Sequence, residues 1–229
     1  MGVAKQLMRY LARIAGLGAI GAALALSIPA CNNQSGFSGS VGNTPNGPRL
    51  TSYQILGTVG TPFTATVADT RSAWTLQGNV PLTIFICNNT QPTQVIATKT
   101  ASSSNLLSVE IINANNVAAL QSTSAPFGTV SVQTGGVLTS IAPPADPDLR
   151  IFVSGPNGEE YRALVEDIDT GFIISARAPT LILFDTPNGK VDASFFGPQD
   201  FGTFTVNMTL GGIVVASVKQ GPNATIRQP

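Results

Sequence analysis

Carboxylates are the side chains in this sequence with the clearest potential for chemistry. Five of them could converge on a hard cation such as calcium, which prefers oxygen ligands. They are Asp146, Asp148, Glu166, Asp167 and Asp169. A structural role is the alternative, because Asp167 matches Asp69 in an internal repeat and aspartate often binds backbone amides in turns. Since the spacing of a known calcium loop is missing, we predict no resident metal or cofactor and keep these residues as weak candidates.

Aromatic residues are the second candidate feature, because exposed rings can stack on sugars. Trp74 has Phe172 as its repeat partner, which favours a core position for both. Phe195, Phe196 and Phe201 lie in a stretch bounded by Gly and Pro, without counterparts in the first repeat. We therefore expect these three residues to form an exposed patch and keep them as weak candidates for glycan binding.

Composition restricts the classes of function. The chain has no histidine, so a Ser–His–Asp triad is impossible, and no Ser-x-x-Lys or phosphate-binding glycine motif is present. Twelve basic residues balance twelve acidic ones, which disfavours nucleic acid as a partner. We predict a protein that is not an enzyme, with a carboxylate-dependent hydrolase as the least favoured alternative.

The N-terminus has the pattern of an export signal. Lys5, Arg9 and Arg13 precede an uncharged apolar run over residues 14–30 that ends in small residues. This run is short for a helix that crosses a bilayer, and Pro29 interrupts its end. A signal peptide over residues 1–30 is therefore favoured over a permanent transmembrane helix.

The residues at the end of this run, Ile28-Pro29-Ala30-Cys31, resemble the lipobox of bacterial lipoproteins. The resemblance covers residues 1–31 and implies cleavage before Cys31, acylation of this cysteine, for example with palmitate, and anchoring in a membrane. Asn32 implies passage to the outer membrane in a Gram-negative cell. Pro29 departs from the commoner residue at its place. The alternative is an ordinary Cys31 thiol, free or paired with Cys87.

Residues 31–49 comprise this cysteine and a stretch rich in Asn, Gly, Ser and Pro. The composition predicts a flexible tether. An offset of 98 residues then aligns residues 57–86 with residues 155–184, which indicates two copies of one unit. We place the copies at residues 50–142 and 149–229, with a stiff Pro-rich spacer at residues 143–148. The identical pairs are Gly57/Gly155, Gly60/Gly158, Ala65/Ala163, Val67/Val165, Asp69/Asp167, Pro81/Pro179 and Ile84/Ile182.

Apolar residues alternate with polar ones in short runs separated by turn signals, as in Phe63/Ala65/Val67. This pattern predicts an all-β protein whose copies resemble tandem immunoglobulin-like β-sandwiches. Together these features predict a lipid-anchored scaffold or adhesion-like module of the cell envelope that faces the periplasm or the cell exterior and has an envelope protein or glycan as partner. A carbohydrate-binding surface lipoprotein is the second hypothesis.

Overall fold

The computed structural model describes residues 30–32 and 49–229, apart from residues 91, 114–115, 141, 147, 156–159, 169, 186, 188, 198–201 and 222. Every helix or strand in these ranges is a β-strand, which confirms the predicted all-β fold class. No helix within these ranges has the length and apolar character needed to span a bilayer.

Among the described residues, the first repeat contains eight strands, which follow the short strand β1 (Ala30–Asn32). Their inward residues alternate with outward ones, as in β3, where Phe63, Ala65 and Val67 are buried. This period of two is the pattern expected of strands that cover a core on one side. The eight strands are β2 (Arg49–Gly57), β3 (Pro62–Ala68), β4 (Ala73–Asn79), β5 (Leu82–Asn89), β6 (Thr93–Lys99), β7 (Leu107–Asn113), β8 (Asn116–Thr123) and β9 (Thr129–Thr134).

The second repeat has the same number of strands in the same order. Strands β11 and β12 lie 98 residues after β3 and β4, the offset found in the sequence. Pro81 and Pro179, which this offset aligns, both follow cis peptide bonds. The strands are β10 (Leu149–Ser154), β11 (Glu160–Glu166), β12 (Gly171–Arg177), β13 (Thr180–Phe184), β14 (Asp192–Phe196), β15 (Phe204–Leu210), β16 (Ile213–Gln220) and β17 (Asn223–Arg227).

Each repeat is a sandwich of a small sheet and half of a larger one. The small sheets have the orders β4-β3-β6-β9 and β12-β11-β14-β17, with β1 added in parallel to the edge strand β12. The remaining strands form one eight-stranded sheet with the order β16-β15-β10-β13-β5-β2-β7-β8. The repeats are therefore joined through a continuous sheet, in which the equivalent strands β5 and β13 pair in parallel.

The shared pair of strands contributes to two cores that lie on opposite faces of the large sheet. Phe85 and Cys87 of β5 pack into the core of the second repeat, while Leu181 and Leu183 of β13 pack into the core of the first. Successive side chains of a strand point to opposite faces, so β5 and β13 are buried on both sides. Each core is completed by side chains of the other repeat.

The connection between the repeats lies against the first repeat. The backbone of residues 143–145 pairs with Ala73 at the start of β4: Ala73 N donates to Pro143 O at 2.9 Å, and Ala145 N donates to Ala73 O at 3.0 Å. This arrangement differs from the expected spacer between two separate sandwiches. The sequence could not reveal the difference, because the contacts that join the halves are made by residues far apart in the chain.

Gly57, at the end of β2, illustrates why one repeated glycine is required. Its φ angle is +133°, and a Cβ atom built on it would lie 2.1 Å from the carbonyl oxygen of Leu106. Because any side chain would collide with this backbone atom, glycine allows the close approach of the β2–β3 connection to the start of β7.

Candidate functional site

The acidic candidates occupy separate structural positions. Asp167 Oδ1 accepts hydrogen bonds from the backbone nitrogen of Thr170 at 2.6 Å and from its hydroxyl at 2.9 Å. Asp69 has the equivalent role in the first repeat, where its Oδ1 accepts from the backbone nitrogens of Arg71 and Ser72 at 2.7 and 2.9 Å. The aspartate therefore stabilises the equivalent turn in each repeat, as the repeat alignment predicts.

The other acids do not join Asp167. Glu166 lies on the outer face of the second small sheet, where burial, followed by the charge of Asp192, raises its pKa, and Arg227 lowers it. Asp146 is exposed, and Asp148 pairs with Arg150. Within the described ranges, no three His, Cys, Asp or Glu residues lie close enough to hold a metal ion. Asp169 lies outside the described residues.

The expected patch of exposed phenylalanines is wrong for Phe195. Phe195 is completely buried in the second core, where its ring centroid lies 6.0 Å from that of Tyr161. Its neighbour Phe196 points to the opposite face of β14 and is partly exposed, because adjacent residues of a strand alternate in direction. Phe201 lies outside the described residues.

Trp74 and Phe172 are both buried, 1% and 0% exposed, at equivalent places in β4 and β12. This result confirms the predicted core role of the pair. Cys87 is a free, buried thiol whose pKa is raised by burial and then by the charge of Asp167. Cys31 pairs through its backbone with Ile174 of β12, and its lipidation stays a prediction.

A cluster that sequence analysis missed joins the two repeats. Asp185, which directly follows β13, is completely buried, and its Oδ1 accepts a hydrogen bond from the hydroxyl of Ser72 at 2.5 Å. Its Oδ2 contacts the guanidinium of Arg71 at 2.5 Å. Burial raises the pKa of Asp185 to about 6; the Ser72 hydrogen bond opposes this shift, and the charge of Asp69 adds to it. We call Asp69, Arg71, Ser72 and Asp185 the junction cluster.

Lys99 is a second buried charged residue that the sequence analysis did not identify. Its side chain is 1% exposed, and its ammonium donates to the carbonyl oxygens of Ser103 at 2.8 Å and Asn105 at 2.7 Å. The lysine follows the inward residues Val95 and Ala97 in β6, so its direction could have been read from the alternation. Its two contacts hold the β6–β7 connection in place.

Among the described residues, the outward-facing strand residues of the first small sheet carry no charge, since Lys99 of β6 points inward. Residues that face each other across β4, β3, β6 and β9 form three rows, mostly of hydroxyl and amide side chains. In this strand order, the rows are Ala73–Ala68–Gln94–Gln133, Thr75–Thr66–Ile96–Ser131 and Gln77–Thr64–Thr98–Thr129. We call this surface the neutral face.

The equivalent face of the second repeat has a different character. It carries two ion pairs, between Arg177 and Glu160 and between Arg227 and Asp192. Its charged side chains are Glu160, Arg162, Glu166, Arg177, Asp192 and Arg227. The two repeats therefore share a fold but present chemically different surfaces.

A cleft of about 660 Å³ lies where the neutral face meets the connection between the repeats. Its floor is lined by Thr66, Ala68, Ala73, Thr75, Gln94 and Ile96, its wall by Leu138, Thr139, Ser140, Ala142, Pro144 and Ala145, and one end by Asp148 and Arg150. Arg150 is held on three sides: Nε and Nη2 donate to Asp148 at 2.8 and 2.7 Å, and Nη1 donates to Thr75 O at 2.9 Å. We call this feature the junction cleft.

Comparisons of this chain with protein-family models, with curated proteins and with solved structures found no match.

Proposed function

We propose that this chain is an exported, lipid-anchored protein of the bacterial cell envelope. Support comes from the basic N-terminal residues, the apolar run over residues 14–30 and the lipobox-like sequence that ends at Cys31. Acyl chains on this cysteine would hold the protein at a membrane, since two or more chains give stable anchoring.

The folded part acts as a rigid interaction module and has no catalytic role. The observation that carries this proposal is the shared sheet, in which residues 180–184 pair with residues 83–87. Leu181 and Leu183 are 8% and 0% exposed in the core of the other repeat, and Phe85 and Cys87 are 0% exposed. Moving the halves apart would expose these apolar side chains to water, which is unfavourable.

A rigid connection suits a scaffold. With strands about 4.8 Å apart, an eight-stranded sheet spans roughly 34 Å. The outer faces of the two repeats are thereby held in a fixed geometry on one anchored body. Such a body can place a partner at a set position relative to the membrane, which two domains on a flexible linker cannot do.

Membrane fractionation tests the anchor. The Cys31→Ser variant should move from the membrane fraction to the soluble fraction and should no longer incorporate labelled palmitate. Cys87→Ala is the matched control, because this thiol is buried in the core, and it should keep both the label and the membrane location. Membrane retention of Cys31→Ser would contradict the lipid anchor and favour an uncleaved apolar helix.

Crosslinking in living cells tests the interaction role. The lipidated protein should co-purify with one recurrent envelope protein in stoichiometric amount. Recovery of the lipidated protein without any such partner would contradict a scaffold for proteins. It would leave the anchor itself intact, since fractionation is a separate readout.

A further inference from the structure

The chemistry of the junction cleft restricts the ligand that it can hold. Its floor presents the hydroxyls of Thr66 and Thr75 and the amide of Gln94, and the wall adds Thr139 and Ser140. The charges that line it are those of Asp148 and Arg150, which pair with each other at 2.7 Å. Electrostatic complementarity therefore favours a ligand without net charge.

Two other classes of partner fit this lining poorly. The core of a protein–protein interface is enriched in aromatic residues and methionine, and the described lining contains neither. Nucleic acids and anionic lipids require unpaired basic side chains, whereas Arg150 is the single basic residue of this lining and is paired with Asp148. A polyol, which offers many hydroxyls as both donors and acceptors, fits better.

Hydrogen bonds hold the charged side chains at the end of the cleft in one arrangement. Arg150 makes three hydrogen bonds that fix its guanidinium, and Asp148 is held by two of them. An arginine has five N–H groups and a carboxylate has about four acceptor positions, so both retain capacity for a ligand. Because these side chains are ordered beforehand, binding costs less conformational entropy.

The walls are also held in place. Hydrogen bonds join Ala73 to Pro143 and Ala145, so the wall of the cleft is part of the sheet edge. The small apolar surfaces of Ile96, Ala142 and Pro144 also line the cleft and suit the C–H faces of a sugar ring. The volume of about 660 Å³ lies in the range of small-ligand sites.

We propose that the junction cleft binds a neutral oligosaccharide, with Arg150, Asp148, Thr66, Thr75 and Gln94 as hydrogen-bonding residues. This site is separate from the phenylalanine stretch that the sequence indicated. The proposal goes beyond the scaffold function and does not depend on the lipid anchor.

Saturation-transfer NMR on the full purified chain tests the proposal. The probes are hexasaccharides of β-1,4-linked glucose, mannose and N-acetylglucosamine, each added alone. We expect at least one to bind, and we expect the double variant Thr66→Val/Thr75→Val to weaken it about tenfold, or about 1.4 kcal/mol. Valine keeps the branched shape and removes the hydroxyls, so the fold should be unchanged, as checked by thermal unfolding.

Thr225→Val is the matched control, because Thr225 lies on the equivalent face of the second repeat. It should leave the affinity unchanged. The absence of binding tighter than about 10 mM for all three probes would overturn the proposal. Binding that the control variant weakens as much as the cleft variant would overturn it too, since the sugar would then occupy another surface.

Discussion

The junction cluster predicts that this protein becomes less stable as the pH rises from about 4 to about 6. Asp185 has a pKa of about 6 in the folded protein, against a usual value of 3.8. Between these values the folded protein holds a proton that the unfolded chain has released. Stability from this group is therefore complete at low pH and is lost as the pH rises through the folded pKa.

The magnitude follows from the two pKa values. At about 1.36 kcal/mol per pH unit, the difference between 3.8 and about 6 corresponds to about 3 kcal/mol. Asp185 is buried at the boundary between the repeats, whereas its partner Arg71 is 39% exposed. Solvent screening therefore reduces this energy, and about 3 kcal/mol is an upper value. A loss of this size is a large part of the stability of an ordinary domain.

Urea unfolding at pH 4 to 8 measures the effect, with the fluorescence of Trp74 as the signal. This residue is the only tryptophan, is buried, and lies two residues after Ser72. Asp185→Asn replaces the acid with a neutral group of the same shape. The difference in unfolding free energy between the wild type and this variant should change across the window by up to about 3 kcal/mol.

A second variant tests the cause. The hydroxyl of Ser72 donates to Asp185 at 2.5 Å and lowers its pKa, so Ser72→Ala should move the transition to higher pH. The reasoning is refuted if Asp185→Asn and the wild type have parallel pH profiles. It is also refuted if Ser72→Ala moves the transition to lower pH.

Three further predictions concern the backbone and the shared cores. Gly57→Ala should cost about 2 kcal/mol or more in urea unfolding, because its Cβ would meet Leu106 O at 2.1 Å, whereas Gly60→Ala, with nothing within 4 Å, should cost about 1 kcal/mol. Equal losses would contradict the collision. Leu183→Ala in the second repeat should destabilise the first core by about 2–5 kcal/mol, as reported by Trp74 fluorescence. Residues 148–229 expressed alone should associate or aggregate in analytical ultracentrifugation, since β13 would expose Leu183 and its neighbours; a folded monomer would argue against shared cores.

The fold class and the positions of several strands could be predicted because they depend on local pattern. Alternating runs such as Tyr161/Ala163/Val165 place one face of a strand in the core, and the repeat alignment supported each assignment with a second copy. Trp74 and Phe172 were identified as core residues by the same comparison. Short-range periodicity was sufficient for these conclusions.

The alternation of inward and outward residues in β14 could also have shown that Phe195 is buried. β14 has the burial order of a strand with Ala193 and Phe195 inward and Ser194 and Phe196 outward. The exposed patch was predicted from the flanking glycine and proline and from the missing counterparts in the first repeat, and the period of two was not applied to this stretch. A strand assignment beginning at Asp192 would have buried one of the adjacent rings and exposed the other.

The shared sheet could not be predicted, although one sign of it was present. Ile84–Cys87 and Leu181–Phe184 are continuous apolar runs, and such runs indicate strands that are buried on both faces. The sequence does not specify what covers the second face. Only the three-dimensional pairing of β5 with β13 shows that each run is covered by the other repeat.

The junction cluster and the junction cleft have no local sequence signature. Asp185 is a single acid after an apolar run, and its partners Arg71 and Ser72 lie 114 and 113 residues away in the sequence. Arg150 and Thr75 are also far apart in the chain and meet because β10 lies beside the edge of the first small sheet. Sites of this kind arise from topology, so they become visible only when the sheets are assembled.

The repeats also show why a common fold does not imply a common role. Their inner positions are equivalent, because both must fill a sandwich core against the same shared sheet. Their outer positions are free to differ, and they do: the first repeat presents hydroxyls and amides where the second presents six charged side chains. The junction cleft lies on the neutral face of the first repeat, beside the connection that packs on β4. Binding should therefore be assigned to the neutral face of the first repeat together with Arg150 of β10. The second repeat also supplies part of the hydrophobic core that holds the first in shape.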